Sequence, residues 1–474
     1  MSSSITLPTW LVVVVAILAI VAAINHFFLP GIRWFLRRRV NKVISDVNDR
    51  LRLKLPTFQL TKRRVLIDRL TYDPEVMKAV AIAADERGVP REGVMAEVLT
   101  YAREIVPAFN AFFYFRIGYR LARWFLRSIY HVRLGFAHEG ALAAVPPDTS
   151  VVFFINHRSN MDYLLVTYLA SGSAALSYGA GEWARVWPFR AMLRMAGAYI
   201  LRRDTSDPLY RIVLQRYVQM ATEAGVPHAI FGEGKLSRNG LVNSPKLGLL
   251  GYICKVFDPD GPLDIMLVPV ATNFDRIVEE RTLVTNVDTD FRGRGALFIL
   301  GSSSKFVLQY VWGKLTGREK GFGVACANFG EPLSLRAWSR DNGAAFCELD
   351  KPSFHDAVAK LASELTDRVI DVMPITAVPL VSMTLLDAKV SPTLTELKCR
   401  SLQKAREFGA LGAHIAMQEG EEEAAIDAAI AMLRGRQLIL VNDRDVVSPV
   451  PEERNLLEYY ANSIAQLRTK LLQG

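Results

Sequence analysis

Cysteine is scarce in this 474-residue chain, and Cys254, Cys326, Cys347 and Cys399 are widely scattered. No CxxC pair occurs, which argues against a disulfide framework and for a reducing compartment with free thiols. The seven histidines show no metal-ligand spacing. A GxSxG hydrolase elbow is missing, and Gly293-Arg294-Gly295 and Gly321-Phe322-Gly323 lack the third glycine of a dinucleotide turn. Gly234-Lys235-Leu236-Ser237 has leucine where a phosphate loop requires Ser or Thr. Internal repeats and low-complexity tracts are absent. Residues 1–9 hold no Lys or Arg, the positive region a cleaved signal peptide would need.

What is present is apolar and basic. Half of the residues are hydrophobic, and the mean hydropathy of +0.16 is high for a freely soluble enzyme. A charged fraction of 22% argues against a chain made mostly of membrane spans. Trp10 to Ile24 is almost unbroken Leu, Val, Ile and Ala, and the apolar character runs to Leu29. Counted from Leu7 this suffices for a bilayer core, which takes about 20 residues. A transmembrane anchor is expected over 1–30, with interfacial insertion as the alternative. Arg33, Arg37, Arg38, Arg39 and Lys42 follow it and place the body of the protein on the cytosolic face of the cell membrane. With a net charge of +9 and a second cluster at Lys62, Arg63 and Arg64, membrane lipids are the expected anionic partner. No nucleic-acid motif accompanies the charge.

Residues 31–107 read as a basic helical region, with turn signals at Pro56, Asp73-Pro74 and Gly88-Val89-Pro90. Arg116, Arg120, Arg123 and Arg127 then recur at helical spacing, with Tyr114, Leu121, Phe125 and Ile129 assigned to the opposite face. That pattern fits a surface helix on the core or one lying in the membrane interface. From Val151 short β-branched runs alternate with helical patterns. Strands are expected at Val151–Ile155, His228–Phe231 and Met266–Val270, and helices at Met161–Ala170, Pro208–Ala224 and Ser353–Val372. Pro269 reads as a strand end. The expected fold is α/β, a mostly parallel sheet flanked by helices over residues 108–375. A helical C-terminal region, 376–474, follows.

The chemistry centres on a strand followed by Asn156, His157, four residues, Asp162 and a helix. On one continuous helix, positions five apart point about 140° away from each other. Across a strand-to-helix turn the carboxylate can fold back onto the imidazole. It then fixes the tautomer while the other ring nitrogen takes a hydroxyl proton.

His157-Arg158-Ser159-Asn160-Met161-Asp162 resembles the HxxxxD box of the glycerol-3-phosphate acyltransferase family, membrane-bound bacterial type. Further blocks resemble that family's second, third and fourth motifs in order: Gly197 to Arg203, Phe231-Gly232-Glu233-Gly234 with Ser237-Arg238, and Leu267-Val268-Pro269-Val270. The resemblance implies an acyltransferase-like fold and no cofactor. The implied reaction is transfer of a long-chain acyl group from acyl-CoA or acyl-ACP to the sn-1 hydroxyl of glycerol 3-phosphate in phospholipid biosynthesis. His157 would be the base and Asp162 its orienter. Arg202, Arg203, Glu233, Gly234, Lys235, Ser237 and Arg238 would bind the phosphorylated acceptor, and acyl carrier protein is an expected partner if it carries the donor. One departure bears on the acceptor. Where the family usually reads Gly-Arg-Ser-Arg, this chain has Lys235-Leu236-Ser237-Arg238, and leucine cannot hold a phosphate. Lysophosphatidate, dihydroxyacetone phosphate or another alcohol are the competing acceptors. A non-enzymatic membrane scaffold is the rival of another class, opposed by the intact His157 and Asp162.

Overall fold

Val151 to Ile155 offers no polar face, so the strand it forms must be covered on both sides. In the computed structural model it belongs to β2 (Thr149–Ile155), buried along its whole length. The structure describes residues 55–137, 146, 149–170, 174–181, 189–202, 206–284 and 321–473. The expected anchor and the basic run after it lie outside the described residues. Among the described residues no helix is long and apolar enough to cross a membrane.

After a single turn at Thr57–Leu60 come α1 (Arg63–Thr71), α2 (Pro74–Arg87) and α3 (Arg91–Ile105). Asp73 opens α2 by accepting the Glu75 amide, with Pro74 at the first helical position. A π-helical turn, Phe113–Gly118, leads into α4 (Tyr119–Ile129). Arg116, Arg120, Arg123 and Arg127 are exposed, as their spacing predicts. Leu121 is not on the covered side: it is 42% exposed, while Ala122 and Leu126 are buried. The wider hydrogen-bonding step of the π turn shifts the helical phase, so Tyr114 and Leu121 do not share one stripe.

The α/β core follows with β1 (His131–Ala137), β2, α5 (Met161–Ala170), β3 (Ser177–Ala180), α6 (Phe189–Met195) and β4 (Ala198–Ile200). It continues with α7 (Pro208–Glu223), β5 (His228–Phe231), α8 (Gly248–Cys254), β6 (Asp264–Phe274), α9 (Glu280–Val284) and β7 (Val324–Phe329). The short β8 (Leu333–Ser334), α10 (Leu335–Asn342) and α11 (Lys351–Asp371) close it. The strand order is β1-β7-β6-β2-β5-β3-β4, with β8 pairing with β6. Pairing is parallel except where β7 and β8 meet β6. The fold is thus a mostly parallel sheet flanked by helices.

Pro269 does not end its strand. β6 pairs with β8 through Met266 and Leu267 and with β7 from Val270 onward. Pro269 falls in the gap between these partners, where a missing amide proton removes no ladder bond. The last hundred residues form α12 (Ala377–Leu386), α13 (Leu394–Ala410), α14 (Glu422–Gly435), a hairpin of β9 (Ile439–Val441) and β10 (Val447–Pro449), and α15 (Arg454–Gln473). The hairpin is an addition to the mostly helical pattern expected from the sequence.

Candidate active site

Strands β2, β5, β3 and β4 run parallel, so His157, Glu233 and Arg202 all follow carboxyl ends on one edge of the sheet. That edge is where open α/β sheets place their ligands. The chain turns sharply after β2 and enters α5, bringing Asp162 back onto His157.

His157 Nδ1 lies 3.0 Å from Asp162 Oδ2. The same oxygen accepts from the Arg158 and Ser159 amides at 2.8 and 2.9 Å, and Thr272 Oγ1 donates to Oδ1 at 2.9 Å. An oxygen that already takes two amide protons acts as an acceptor, so Nδ1 carries the imidazole proton. The lone pair is left on Nε2, which is buried with no protein partner among the described residues. Phe231 packs against the ring at a centroid distance of 4.2 Å and Tyr163 meets it edge-on at 5.6 Å. His157 is 1% exposed and Asp162 fully buried. The arrangement can accept a proton at Nε2 and hold the resulting cation against a fixed carboxylate.

Further residues hold this turn. Asn156 exchanges hydrogen bonds with Thr272: its amide donates to the Thr272 carbonyl at 3.0 Å, and its oxygen accepts the Thr272 amide at 2.8 Å. Glu279 accepts from Ser159 Oγ at 2.8 Å and Asn160 Nδ2 at 3.0 Å, and burial pushes its carboxyl up. Arg158, 1% exposed, donates to the Gly240 carbonyl at 2.5 Å and the Ser463 carbonyl at 3.2 Å.

The third-motif residues divide into braces and exposed cations. Glu233 accepts the His157 amide at 2.9 Å through Oε1, and the Asn243 amide and Nδ2 through Oε2 at 3.0 and 2.9 Å. Both oxygens thus serve the turn itself, and burial raises the carboxyl against these donors. Ser237 is buried, its amide donating to the His157 carbonyl at 2.8 Å and its hydroxyl to the Leu241 carbonyl at 2.7 Å. Gly234 sits at φ +67°, a left-handed conformation that favours glycine. Lys235 and Arg238 are exposed. Arg202 donates to Glu104 at 2.6 Å, flanked by the faces of Tyr101 and Tyr210 at 4.9 and 5.0 Å. The bond to Glu104 raises its pKa. Three strand spacings separate β4 from β2, about 14 Å. Arg203 lies outside the described residues.

Among the described residues no group of three or more His, Cys, Asp or Glu is placed to hold a metal ion. Cys254 and Cys326 are buried, and burial pushes the Cys326 thiol up to about 12, against thiolate chemistry.

Residues 140–273, the whole β2-to-β6 unit, match the model of the family described as Acyltransferase. Residues 311–469 match that of the glycerol-3-phosphate acyltransferase C-terminal region. Similar proteins include a glycerol-3-phosphate acyltransferase of Pseudomonas entomophila, 25% identical over 86% of this chain and 49% of the relative. One of Ectopseudomonas mendocina is 27% identical over the same shares. The chain belongs to the glycerol-3-phosphate acyltransferase family. It spans about half the length of the curated relatives it matches. A solved 1-acyl-sn-glycerophosphate acyltransferase from Thermotoga maritima aligns with 64% of this chain and 96% of its own, at 17% identity and a TM-score of 0.30.

The His–Asp pair is legible in the sequence of this glycerol-3-phosphate acyltransferase family member, but its supports are not. Glu279 lies far from every block named above. Arg158 lies inside the first block, Asn243 five residues past Arg238 and Thr272 two residues past the fourth block, but nothing in their type or spacing marks them as supports.

Proposed function

We propose that the chain is an O-acyltransferase that moves a long-chain acyl group from a thioester of CoA or acyl carrier protein to the sn-1 hydroxyl of glycerol 3-phosphate. The observation that carries the reading is His157, its Nδ1 proton on Asp162 and its Nε2 buried without a protein partner. Nε2 takes the acceptor's hydroxyl proton as the oxygen attacks the thioester carbonyl. A tetrahedral intermediate forms, the carbon–sulfur bond breaks, and the proton passes to the departing thiolate. Direct transfer needs neither acyl-enzyme nor cofactor. Arg202, Arg203, Lys235 and Arg238 are the candidate cations for the acceptor's phosphate. For Arg202 this requires the phosphate to displace or share Glu104.

Lysophosphatidate, dihydroxyacetone phosphate or another alcohol as acceptor is the second reading, left open by Leu236 at a position the family gives to arginine. We place the protein at the cytosolic face of the cell membrane. The anchor expected over 1–30 supports that placement, as do Ile117, Leu121 and Trp124, which are 48, 42 and 67% exposed on the arginine-bearing segment. The domain division at 107 and 375 is part of the same proposal.

The test is His157→Ala, assayed in membranes with a radiolabelled thioester and each acceptor in turn. The rate should fall roughly 10² to 10⁴-fold. Activity retained at the wild-type level would sink the assignment, and the preferred acceptor decides between the two readings.

A further inference from the structure

Helices α1, α3 and α6 border a groove of about 870 Å³. Five arginines line it (Arg63, Arg64, Arg103, Arg190 and Arg194) against two carboxylates, Asp68 and Glu92. The carboxyl end of α3 organises two of the arginines. Arg63 Nε donates to the Val106 carbonyl at 3.0 Å and its Nη2 to the Arg103 carbonyl. Arg194 Nη2 donates to the same two carbonyls, at 2.7 and 2.5 Å.

Two guanidiniums are therefore fixed side by side by the negative end of a helix, which compensates them only in part. Arg190 and Arg103 add further positive charge. Burial and then Arg63 and Arg190 lower the Arg194 pKa to about 10. Arg63 is lowered in the same way, by burial, Arg190 and Arg103. Among the described residues, Arg64, Arg103 and Arg190 have no carboxylate partner. Folding thus assembles like charges at some cost and leaves exposed guanidiniums lining a cavity.

We propose that this groove, lined by none of the residues assigned above to acyl transfer, is a second phosphate site for a ligand that presents one or more phosphate groups to the arginine cluster. Guanidinium forks match phosphate oxygens in pairs, and five of them exceed what a single phosphate dianion can neutralise. The chemistry therefore favours a ligand with two phosphates, or a surface that supplies several. Ile67, Met95 and Leu99 also line the groove and leave room for an aliphatic portion. A soluble polyphosphate and a phosphate-bearing lipid headgroup share this chemistry, and the two sources separate by experiment.

The full chain is titrated calorimetrically with inorganic phosphate and with pyrophosphate at low and physiological ionic strength. In parallel it is sedimented with phosphatidylcholine vesicles with and without phosphatidic acid. At least one phosphate probe should bind, and Arg103→Glu/Arg190→Glu should bind it at least about 10-fold more weakly, charged contacts being the larger part of such affinity. Arg103→Gln/Arg190→Gln should fall between the two. Arg400→Glu/Arg406→Glu, the same charge change on exposed positions of α13, should bind like wild type. Circular dichroism checks that each variant is folded. Saturable pyrophosphate binding without vesicle binding identifies a soluble source, and phosphatidic-acid-dependent sedimentation alone identifies a lipid one. The proposal is overturned if wild type binds no probe. It is equally overturned if the groove reversal binds like wild type, or if the α13 control loses as much.

Discussion

Asp162 accepts four hydrogen bonds, and each restricts what its neighbour His157 can do. The Arg158 and Ser159 amides fix Oδ2 beneath Nδ1, and the Thr272 hydroxyl prevents the carboxylate from rotating away. In Asp162→Asn one oxygen becomes an NH₂ group. Placed at Oδ2 it would face two amide protons and the Nδ1 proton; placed at Oδ1 it would face the Thr272 hydroxyl, which can turn. The second orientation keeps the geometry but loses the charge that stabilises the imidazolium. We predict a fall in kcat of roughly 10² to 10⁴ with KM nearly unchanged. Steady-state kinetics on folded protein measures it, and a kcat within tenfold of wild type contradicts the assigned role. The pair itself was readable from the sequence because a strand, a short turn and a helix leave a local pattern. Thr272 was not, since it reaches Asp162 across 110 residues and only the pairing of β2 with β6 puts them side by side. Arg202 read as a free cation for the same reason: its partner Glu104 lies on α3, 98 residues earlier.

Strand β5 begins with His228, fully buried in the sheet. Its Nε2 lies 3.2 Å from Thr222 Oγ1, while Nδ1 has no partner among the described residues. Burial pushes its pKa down from 6.5 to about 4. The folded value lies below the unfolded one, so the unfolded chain binds the proton first as the solution is acidified. The stability contributed by the neutral ring is present above about pH 6.5 and is lost as pH falls through about 4. A displacement of this size corresponds to roughly 3 kcal/mol. Buried Glu233 and Asp275 and part-buried Glu279 are shifted upward and carry the opposite sign, so the test is a difference. Urea unfolding of wild type and His228→Asn across pH 7 to 4 should give a gap between the curves that narrows toward acid; parallel curves contradict it. β5 was legible because His228 to Phe231 is a short apolar run between turn signals. β3, β4, β7 and β8 were not, being two to six residues long and without alternation. The π turn before α4 gave no warning either, which is why Leu121 was assigned to the wrong face. Helices α2, α7 and α11 each start at an Asp-Pro or Asp-x-Pro signal; the positions of α7 and α11 were plain, and for α2 the sequence marks only the turn at Asp73-Pro74.

Across the whole molecule, the last helix acts on the first motif. α15 meets the β2–α5 turn through Arg158, whose guanidinium bridges the Gly240 and Ser463 carbonyls. Asn462 and Gln466 donate to the Asn239 and Val242 carbonyls, and Gln466 also accepts the Val242 amide. Tyr460 donates to Glu280, which pairs with Arg436 at 2.5 Å. The C-terminal region therefore holds the first and third motifs in register, a dependence no local pattern could reveal. Arg158 is buried and burial lowers its pKa, so removing it relieves a desolvation cost while leaving two carbonyls without donors. Global stability should accordingly fall by about 1–3 kcal/mol in Arg158→Met. The molecules that remain folded should also be impaired in catalysis, because the turn that carries the Arg158 amide to Asp162 loses its tether. We predict kcat down about 10- to 100-fold, KM for the thioester retained, and a displaced pH profile of kcat, on the scale seen when supports of a reacting group are removed. Gly240→Ala provides a second route to the same register. Gly240 sits at φ +81°, and an added Cβ would lie 1.9 Å from the Tyr459 carbonyl oxygen, so α15 must move. Both variants should therefore displace the pH profile in the same direction. A merely structural role for Arg158 would lower the yield of folded enzyme while leaving the pH profile of the remainder unchanged, and that result would remove Arg158 from the positioning of His157.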